Sequence, residues 1–273
     1  MQAKVLSEGP ADLIVRDVII DSRQLITADA CMFFALVTNR NDGHKYIRSL
    51  YDKGLRAFVI SHDRVDWKSM DQAAFIKVDN SLEALQMLAA WHRKQFDIPV
   101  IGITGSNGKT IIKEWLFQLL SPVRTIIRSP KSYNSQIGVP LSVWQLDKQH
   151  QLAIFEAGIS EPDEMERLQN IIKPTIGLFT NIGQAHSENF IQTNQKVGEK
   201  LKLFTKVDTL IYCADHADIQ SIIIRSEILR SVKGFTWSRK IPADLQVVLL
   251  EKSEQQTTIK ALYKENEYTL QIP

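Results

Sequence analysis

Two cysteines, a formal charge of only +2 and the lack of any long apolar run each remove a class of protein from consideration for this 273-residue chain. Cys31 and Cys213 lie far apart inside apolar runs, which excludes a disulfide framework or a cysteine-rich metal centre and reads as two buried free thiols. Thirty-three basic residues against thirty-one acidic ones leave no global field for nucleic acid or an anionic membrane. No apolar stretch approaches the roughly 18 residues of a membrane span. The opening residues Met1 to Glu8 lack a signal peptide's apolar core, so a cytoplasmic protein without membrane insertion is expected. No internal repeat or low-complexity segment is visible. What remains is a globular composition, 44% hydrophobic and 23% charged, with length enough for two ordinary domains.

The first part reads as a small α/β domain, residues 1–97. Short β-like runs at Leu13 to Ile20, Met32 to Val37, Ala57 to Ile60 and Ala74 to Val78 are joined by turn-rich connections such as Asn41-Asp42-Gly43-His44. Asn80, with Glu83 three positions on, can cap a helix whose stripe Leu82, Leu85, Leu88, Ala89, Trp91 runs as far as Phe96. Asp97-Ile98-Pro99 ends it.

Residues 98–273 alternate strand and helix. Strands are expected at 98–103, Val123 to Arg128, Leu152 to Glu156, Thr175 to Thr180, Thr209 to Cys213 and near Phe235. Helices are expected at Ile111 to Leu120, Gly138 to Leu146, Pro162 to Ile172, Thr193 to Lys206 and from His216. Such alternation specifies a mostly parallel sheet covered on both faces, with ligands at the carboxyl ends of its strands. Leu245 to Glu251, Thr257 to Tyr263 and Tyr268 to Ile272 read instead as an antiparallel meander.

The strongest local signal is Thr104-Gly105-Ser106-Asn107-Gly108-Lys109-Thr110, between the apolar run Ile98 to Ile103 and the amphipathic segment Ile111 to Leu120. Strand, loop and helix in that order aim the amides of Gly105, Ser106, Asn107 and Gly108 at an anion, add the positive end of a helix dipole, and supply Lys109 as charge and Thr110 as a magnesium ligand. ATP or GTP is the expected ligand. The commoner G-x-x-x-x-G-K-[ST] spelling would need glycine where Ile103 stands. An ordinary turn is the alternative for a glycine-rich loop, and the helix that follows disfavours it.

Other polar residues fall at the ends of expected strands. Glu156 closes Leu152-Ala153-Ile154-Phe155, where it could hold magnesium with Thr110 or simply cap the turn at Ala157-Gly158. Asn181 to His186 follow the run Ile176 to Thr180; a lone histidine is as readily structural as a ligand, and the other five lack this strand-end context. Lys196, Lys200 and Lys202, on the helix after it, read from the residues alone as a solvated face.

The loop spelling resembles that of the Mur ligases and their folylpolyglutamate synthase relatives. The resemblance extends over essentially the whole chain, and within the family it points to the branch that adds D-alanyl-D-alanine, the MurF type. Ser132-Tyr133-Asn134-Ser135-Gln136-Ile137-Gly138-Val139-Pro140-Leu141 is similar to that branch's N-N-x-I-G-V-P-L segment, with Ser135 in place of the second asparagine. Glu156-Ala157-Gly158 resembles its E-x-G strand end, and Thr180 to Glu188 its T-N-x-x-x-A-H-x-E segment. Asp21-Ser22-Arg23 and Asp42-Gly43-His44 match the D-S-R and D-G-H motifs of the region that holds the UDP-sugar end of the substrate. Thr38 stands where glycine is common, and Lys202 where an acidic residue is usual.

The resemblance implies an ATP-dependent amide-bond ligase of peptidoglycan precursor synthesis, with UDP-N-acetylmuramoyl-tripeptide and D-alanyl-D-alanine as partners and ATP and magnesium as cofactors. ATP phosphorylates the peptide carboxylate and the amine attacks the acyl phosphate. It implies Lys109, His186 and Lys200 as catalytic residues, and residues 105–110 with Asn181 around the nucleotide. Asp21, Ser22, Arg23 and Asn134 are implied on the substrate, and Thr110, Glu156, His186 and Lys200 on metal. The family shares the interval from His186 to Lys200, and its lysine is carbamylated, which converts a cation into an oxygen ligand suited to magnesium. Residues 1–97 would be the UDP-sugar domain and 98–273 an incomplete ATP domain. A third, C-terminal domain is expected to be absent, leaving a fragment of negligible turnover. Wording from Ser160 to Phe190 resembles the version fused to an alanine racemase, which raises such a domain in a longer parent chain. Two alternatives stand beside this reading: another Mur ligase or a folylpolyglutamate synthase, and a nucleotide-binding module without catalysis.

Overall fold

Short aromatic and β-branched runs become the strands of separate sheets in the two units into which the chain divides, Met1–Lys94 and Gln95–Pro273. The computed structural model describes residues 3–39, 41–182 and 193–272.

The first unit contains β1 (Ala3–Ser7), β2 (Asp17–Ile19), β3 (Cys31–Phe34), the two-residue strands β4 (Val37–Thr38) and β5 (Asn41–Asp42), α1 (Ile47–Asp52), β6 (Ala57–Ile60), β7 (Ala74–Val78) and α2 (Ser81–Arg93). Its main sheet has the order β1-β7-β6-β3-β2, parallel except for β1. Phe33, Phe58 and Phe75 are wholly buried with Ile47 and Leu50 of α1, and each such side chain removed from water contributes about 1.5–3 kcal/mol. Asn80 caps α2 as its residue type suggests: its Oδ1 accepts from the amides of Leu82 (2.9 Å) and Glu83 (3.2 Å).

The second unit contains β8 (Val100–Thr104), α3 (Lys109–Leu120), β9 (Ile126–Arg128), α4 (Gly138–Trp144), β10 (Leu152–Glu156), α5 (Glu164–Ile172), β11 (Ile176–Phe179), α6 (Thr193–Leu201), β12 (Thr209–Cys213), α7 (Ala217–Arg225) and β13 (Lys233–Ser238), then β14 (Leu245–Lys252), β15 (Thr257–Tyr263) and β16 (Asn266–Ile272). The sheet order is β16-β15-β14-β13-β12-β11-β8-β10-β9. It is parallel from β9 to β14 and antiparallel through the last three strands. This is the mixed α/β architecture expected, a mostly parallel sheet ending in a meander. Ile112, Leu116 and Leu120 line the inner face of α3 and pack on Ile101, Ile103, Leu152 and Ile154.

Several boundaries differ from the expected ones. The run Leu13 to Ile20 yields a strand only at Asp17–Ile19, because Pro10 starts a turn closed by the Leu13 amide on its carbonyl at 3.0 Å. Val123 belongs to the turn after α3, its amide on the Leu120 carbonyl (3.1 Å), so β9 begins at Ile126. Helix α5 begins at Glu164 rather than Pro162 because Asp163 takes a left-handed φ of 64°. Helix α6 tightens into a 3-10 turn at Lys202–Phe204. Strand β1 and helix α1 lay outside the expected elements altogether.

Candidate active site

Strand β8 lies between β10 and β11, so three parallel carboxyl ends are neighbours. The register sets Glu156 opposite Ile103, and Phe179 opposite Thr104. The glycine-rich loop, Glu156 and Asn181 therefore emerge at one edge of the sheet.

The loop is held from beneath. Thr104 is buried and donates through its hydroxyl to the Ala157 carbonyl (2.8 Å). The amide of Ser106 donates to the Asn181 carbonyl at 2.8 Å, that of Asn107 to Asn181 Oδ1 at 3.1 Å, and Thr180 Oγ1 to the Asn107 carbonyl at 2.7 Å. Asn181 is thus fastened to the backbone of the loop. Gly105 has φ +145°, and a Cβ there would lie 1.9 Å from Thr180 Oγ1. Gly108, at φ +81°, precedes the first residue of α3. Both positions need glycine, one for space and both for backbone freedom.

Lys109 bends back over the loop, donating to the Gly105 carbonyl at 2.9 Å and lying 3.4 Å from the Ser106 carbonyl. Burial pushes its ammonium below the ordinary lysine range, Glu156 opposes that shift, and Lys196 adds to it. Lys200 donates to the same Gly105 carbonyl (3.1 Å), and burial, with Lys109 and Lys196 nearby, brings it down to about 7. Among the described residues no carboxylate pairs with Lys200. Lys196 and Lys200 are each only 4% exposed, so the solvated-face reading fails for both. The helical period that carries Lys202 outward, to Asp163 (2.8 Å) and Glu199 (2.6 Å), turns those two inward.

Glu156 is fully buried. Thr110 Oγ1 donates to its Oε2 at 3.1 Å and also lies 3.3 Å from Ser132 Oγ. The turn-capping alternative does not describe this carboxylate. Its Oε1 forms a buried ion pair with Lys113 Nζ at 2.9 Å. That ammonium is already directed at the carbonyls of Ser129 (2.8 Å) and Lys131. A buried carboxylate beside a hydroxyl, with more lone pairs than its two neighbours use, is a donor set suited to a hard cation.

Asn134, Ser135, Gln136, Gly158, Ile159, Ser160 and Glu164 complete a cavity of about 190 Å³ whose opposite wall is Gly105, Ser106, Lys109 and Lys200. The structure thus brings together the loop, Thr110, Glu156, Asn134, Asn181 and Lys200. His186 lies outside the described residues. Lys113 and Ser129 escaped the sequence reading, and Thr180 and Lys196 were given no part in the site; the one available signal was a charged Lys113 inside the apolar stretch Ile111 to Leu120.

In the first unit, Asp21 caps the short turn Ser22–Gln24, and its carboxylate accepts from the Arg23 amide (2.9 Å) and guanidinium (2.6 Å). Those bonds, the side-chain ones foremost, hold Asp21 down to about 2. Asp42 lies between two histidines, with Oδ1 2.6 Å from His44 Nδ1 and Oδ2 3.1 Å from His62 Nε2, and the two rings stack at 3.7 Å. The Ser61 amide donates to His44 Nε2 (2.9 Å), so the His44 proton sits on Nδ1 and points at Asp42. A nitrogen so protonated cannot ligate, and this cluster is not a metal centre as it stands.

The family model described as "Mur ligase middle domain" matches residues 103–273. A UDP-N-acetylmuramoyl-tripeptide--D-alanyl-D-alanine ligase of Synechocystis sp. is 37% identical over 175 residues, covering 64% of this chain and 38% of that protein. The Bacillus subtilis protein of the same description is 29% identical over 264 residues, covering 95% of this chain and 55% of its own. The crystal structure of MurF ligase from Thermotoga maritima in complex with ADP superposes with a TM-score of 0.82 at 25% identity, over 95% of this chain and 58% of that one. The chain spans about half the length, or less, of the relatives it matches.

Proposed function

The chain belongs to the Mur ligase family, and on that premise we propose that it provides the nucleotide site of an ATP-dependent ligase joining D-alanyl-D-alanine to UDP-N-acetylmuramoyl-tripeptide. The observation that carries this is the glycine loop at the end of β8, with Lys109 and Lys200 on one cavity beside it and Glu156, at the end of adjoining β10, bonded to Thr110 of the helix that follows the loop.

In this reading the loop 105–108 cradles the phosphates, the amides of Ser106 and Asn107 exchanging their Asn181 acceptors for phosphate oxygens. Lys109 exchanges its carbonyl partners for phosphate oxygens, a stronger charge-assisted contact. Thr110 and Glu156 hold one magnesium, and Lys200, carbamylated by carbon dioxide, holds a second with His186. Magnesium supplies charge neutralisation for the phosphoryl group in transfer. The uncharged amine is the form that reacts with carbon dioxide, and burial of Lys200 among other cations favours it. A substrate carboxylate oxygen attacks the terminal phosphorus and ADP leaves; the amine of D-alanyl-D-alanine then attacks the acyl carbon and phosphate leaves. Asn134, on the cavity wall, contacts the substrate. Residues 1–97, through Asp21, Ser22 and Arg23, take the UDP-sugar end. The compartment is the cytoplasm, where the nucleotide-linked substrate and ATP are found together; no helix among the described residues is long and apolar enough to cross a membrane.

Calorimetric titration with ATP and magnesium tests the reading. Lys109→Ala should weaken binding by about tenfold to a hundredfold at an unchanged melting temperature. Equal binding by both proteins would sink it.

A further inference from the structure

Lys113 is a lysine with no exposed surface, placed three residues beyond Thr110 and so on the same face of α3. The two residues address the two oxygens of one carboxylate. Thr110 Oγ1 donates to Glu156 Oε2 at 3.1 Å, and Lys113 Nζ stands 2.9 Å from Glu156 Oε1. The ammonium also donates to the carbonyls of Ser129 (2.8 Å) and Lys131, and lies 3.2 Å from Glu114 Oε1. Ser129 closes the circuit, because its hydroxyl accepts from the Glu156 amide at 3.2 Å. One side chain thereby joins the helix behind the phosphate loop, the end of β10, and the segment 129–136 that runs to cavity residues Asn134, Ser135 and Gln136.

We propose that Lys113 is a positioning residue for the metal carboxylate, its buried charge holding Glu156 in place and tying it to the cavity wall before metal arrives. The inference rests on the ATP–magnesium reading of the site. The physical argument is one of alternatives. A buried ion pair is a poor device for stability, since an apolar pair of similar volume packs as well or better. Its ammonium serves two carbonyls and also sits on Oε1, so the carboxylate is balanced and oriented there while its remaining lone pairs stay available to a cation. A neutral hydrogen-bond donor in its place would leave the carboxylate's charge unbalanced. Lys113 does not reach the cavity, so any effect on ligands must pass through Glu156 or segment 129–136.

The test separates metal from nucleotide. Lys113→Gln keeps an amide donor for the Ser129 carbonyl and removes the charge; Lys113→Met/Glu156→Gln removes both charges, and keeps the question answerable if a single substitution does not fold. Manganese, followed by its electron paramagnetic resonance in the presence of ADP, reports metal affinity, and ADP titrated in a metal chelator reports the loop alone. We expect Lys113→Gln to weaken manganese affinity about tenfold and to change chelator-condition ADP binding less than twofold. The double variant should bind manganese no more weakly than Glu156→Gln alone. Manganese affinity within twofold of the parent in Lys113→Gln, or an equal loss of ADP binding without metal, would overturn the role. So would a double variant markedly weaker than Glu156→Gln. Failure of the unsubstituted chain to bind ADP or manganese would instead overturn the nucleotide reading, and this inference with it.

Discussion

Asp21 and Glu156 are both carboxylates near the end of a strand, each beside a cation, and they differ in everything that decides what a carboxylate can do. Asp21 is part of an exposed clasp: the Arg23 side chain is 88% exposed, and the same arginine supplies backbone and guanidinium bonds that use both oxygens. Glu156 is buried, held on Oε2 by one hydroxyl and balanced on Oε1 by an ammonium that also serves two carbonyls. The exposed pair is satisfied by its own two residues. The buried one needs three separate elements and still has lone pairs to spare on both oxygens, and spare capacity in a dry site is what binding chemistry requires.

That contrast can be broken at its buried end most sharply through Gly105. A Cβ at this position meets Thr180 Oγ1 at 1.9 Å and Asn181 backbone atoms at 3.0 Å, in a backbone region that costs about 1–3 kcal/mol for other residues. Gly105→Ala should therefore lower stability by roughly 3 kcal/mol in urea titrations. ADP affinity should fall more than about a hundredfold because the amides leave their seat. A variant that binds ADP like the parent would show that the loop is not held by Asn181.

A smaller effect is expected at Lys200. Its folded value near 7, against 10.5 for an ordinary lysine, means that the folded state binds fewer protons than the unfolded chain between those limits. Stability should consequently rise with pH across that window in carbon-dioxide-free buffer, relative to Lys200→Met, by about 1–2 kcal/mol in total once relaxation is allowed for. Added bicarbonate should raise the melting temperature of the parent and leave Lys200→Met unmoved. Parallel pH profiles, or an equal bicarbonate response, would remove the argument for an uncharged, carbamylated side chain.

The smallest effect belongs to the exposed clasp. Because Arg23 holds Asp21 down to about 2, its contribution is fully present above about 4 and disappears only as pH falls through 2. The melting-temperature difference between the parent and Asp21→Asn should be small and flat from pH 8 to about 4, shrinking below that. A large difference at neutral pH would mean that Asp21 is structurally closer to Glu156 than its exposure suggests.

Much of the site could be read in one dimension. The loop, its glycines, Lys109 and Thr110 are local: a strand, a tight turn and a helix start need particular residues at particular spacings, and Glu156 is marked by its place at the end of the apolar run Leu152 to Phe155. Reading Lys196 and Lys200 as solvated failed because charge in a helix says nothing about which face meets the core. Strand and helix ends were likewise misjudged where one residue's φ decided them, as at Asp163.

The residues by themselves determined an alternating α/β chain with a phosphate loop at a strand end, since both follow from short-range periodicity and backbone sterics. Only the tertiary structure decided that β8 lies between β10 and β11. That order puts Asn181 under the loop, Glu156 beside Thr110, Lys113 against Glu156, and Lys200 on the carbonyl of Gly105. Those partners are between 20 and 100 positions apart in several cases, such as the 95 separating Lys200 from Gly105, and the choice among strand neighbours is made by packing of whole layers, which no local spacing encodes.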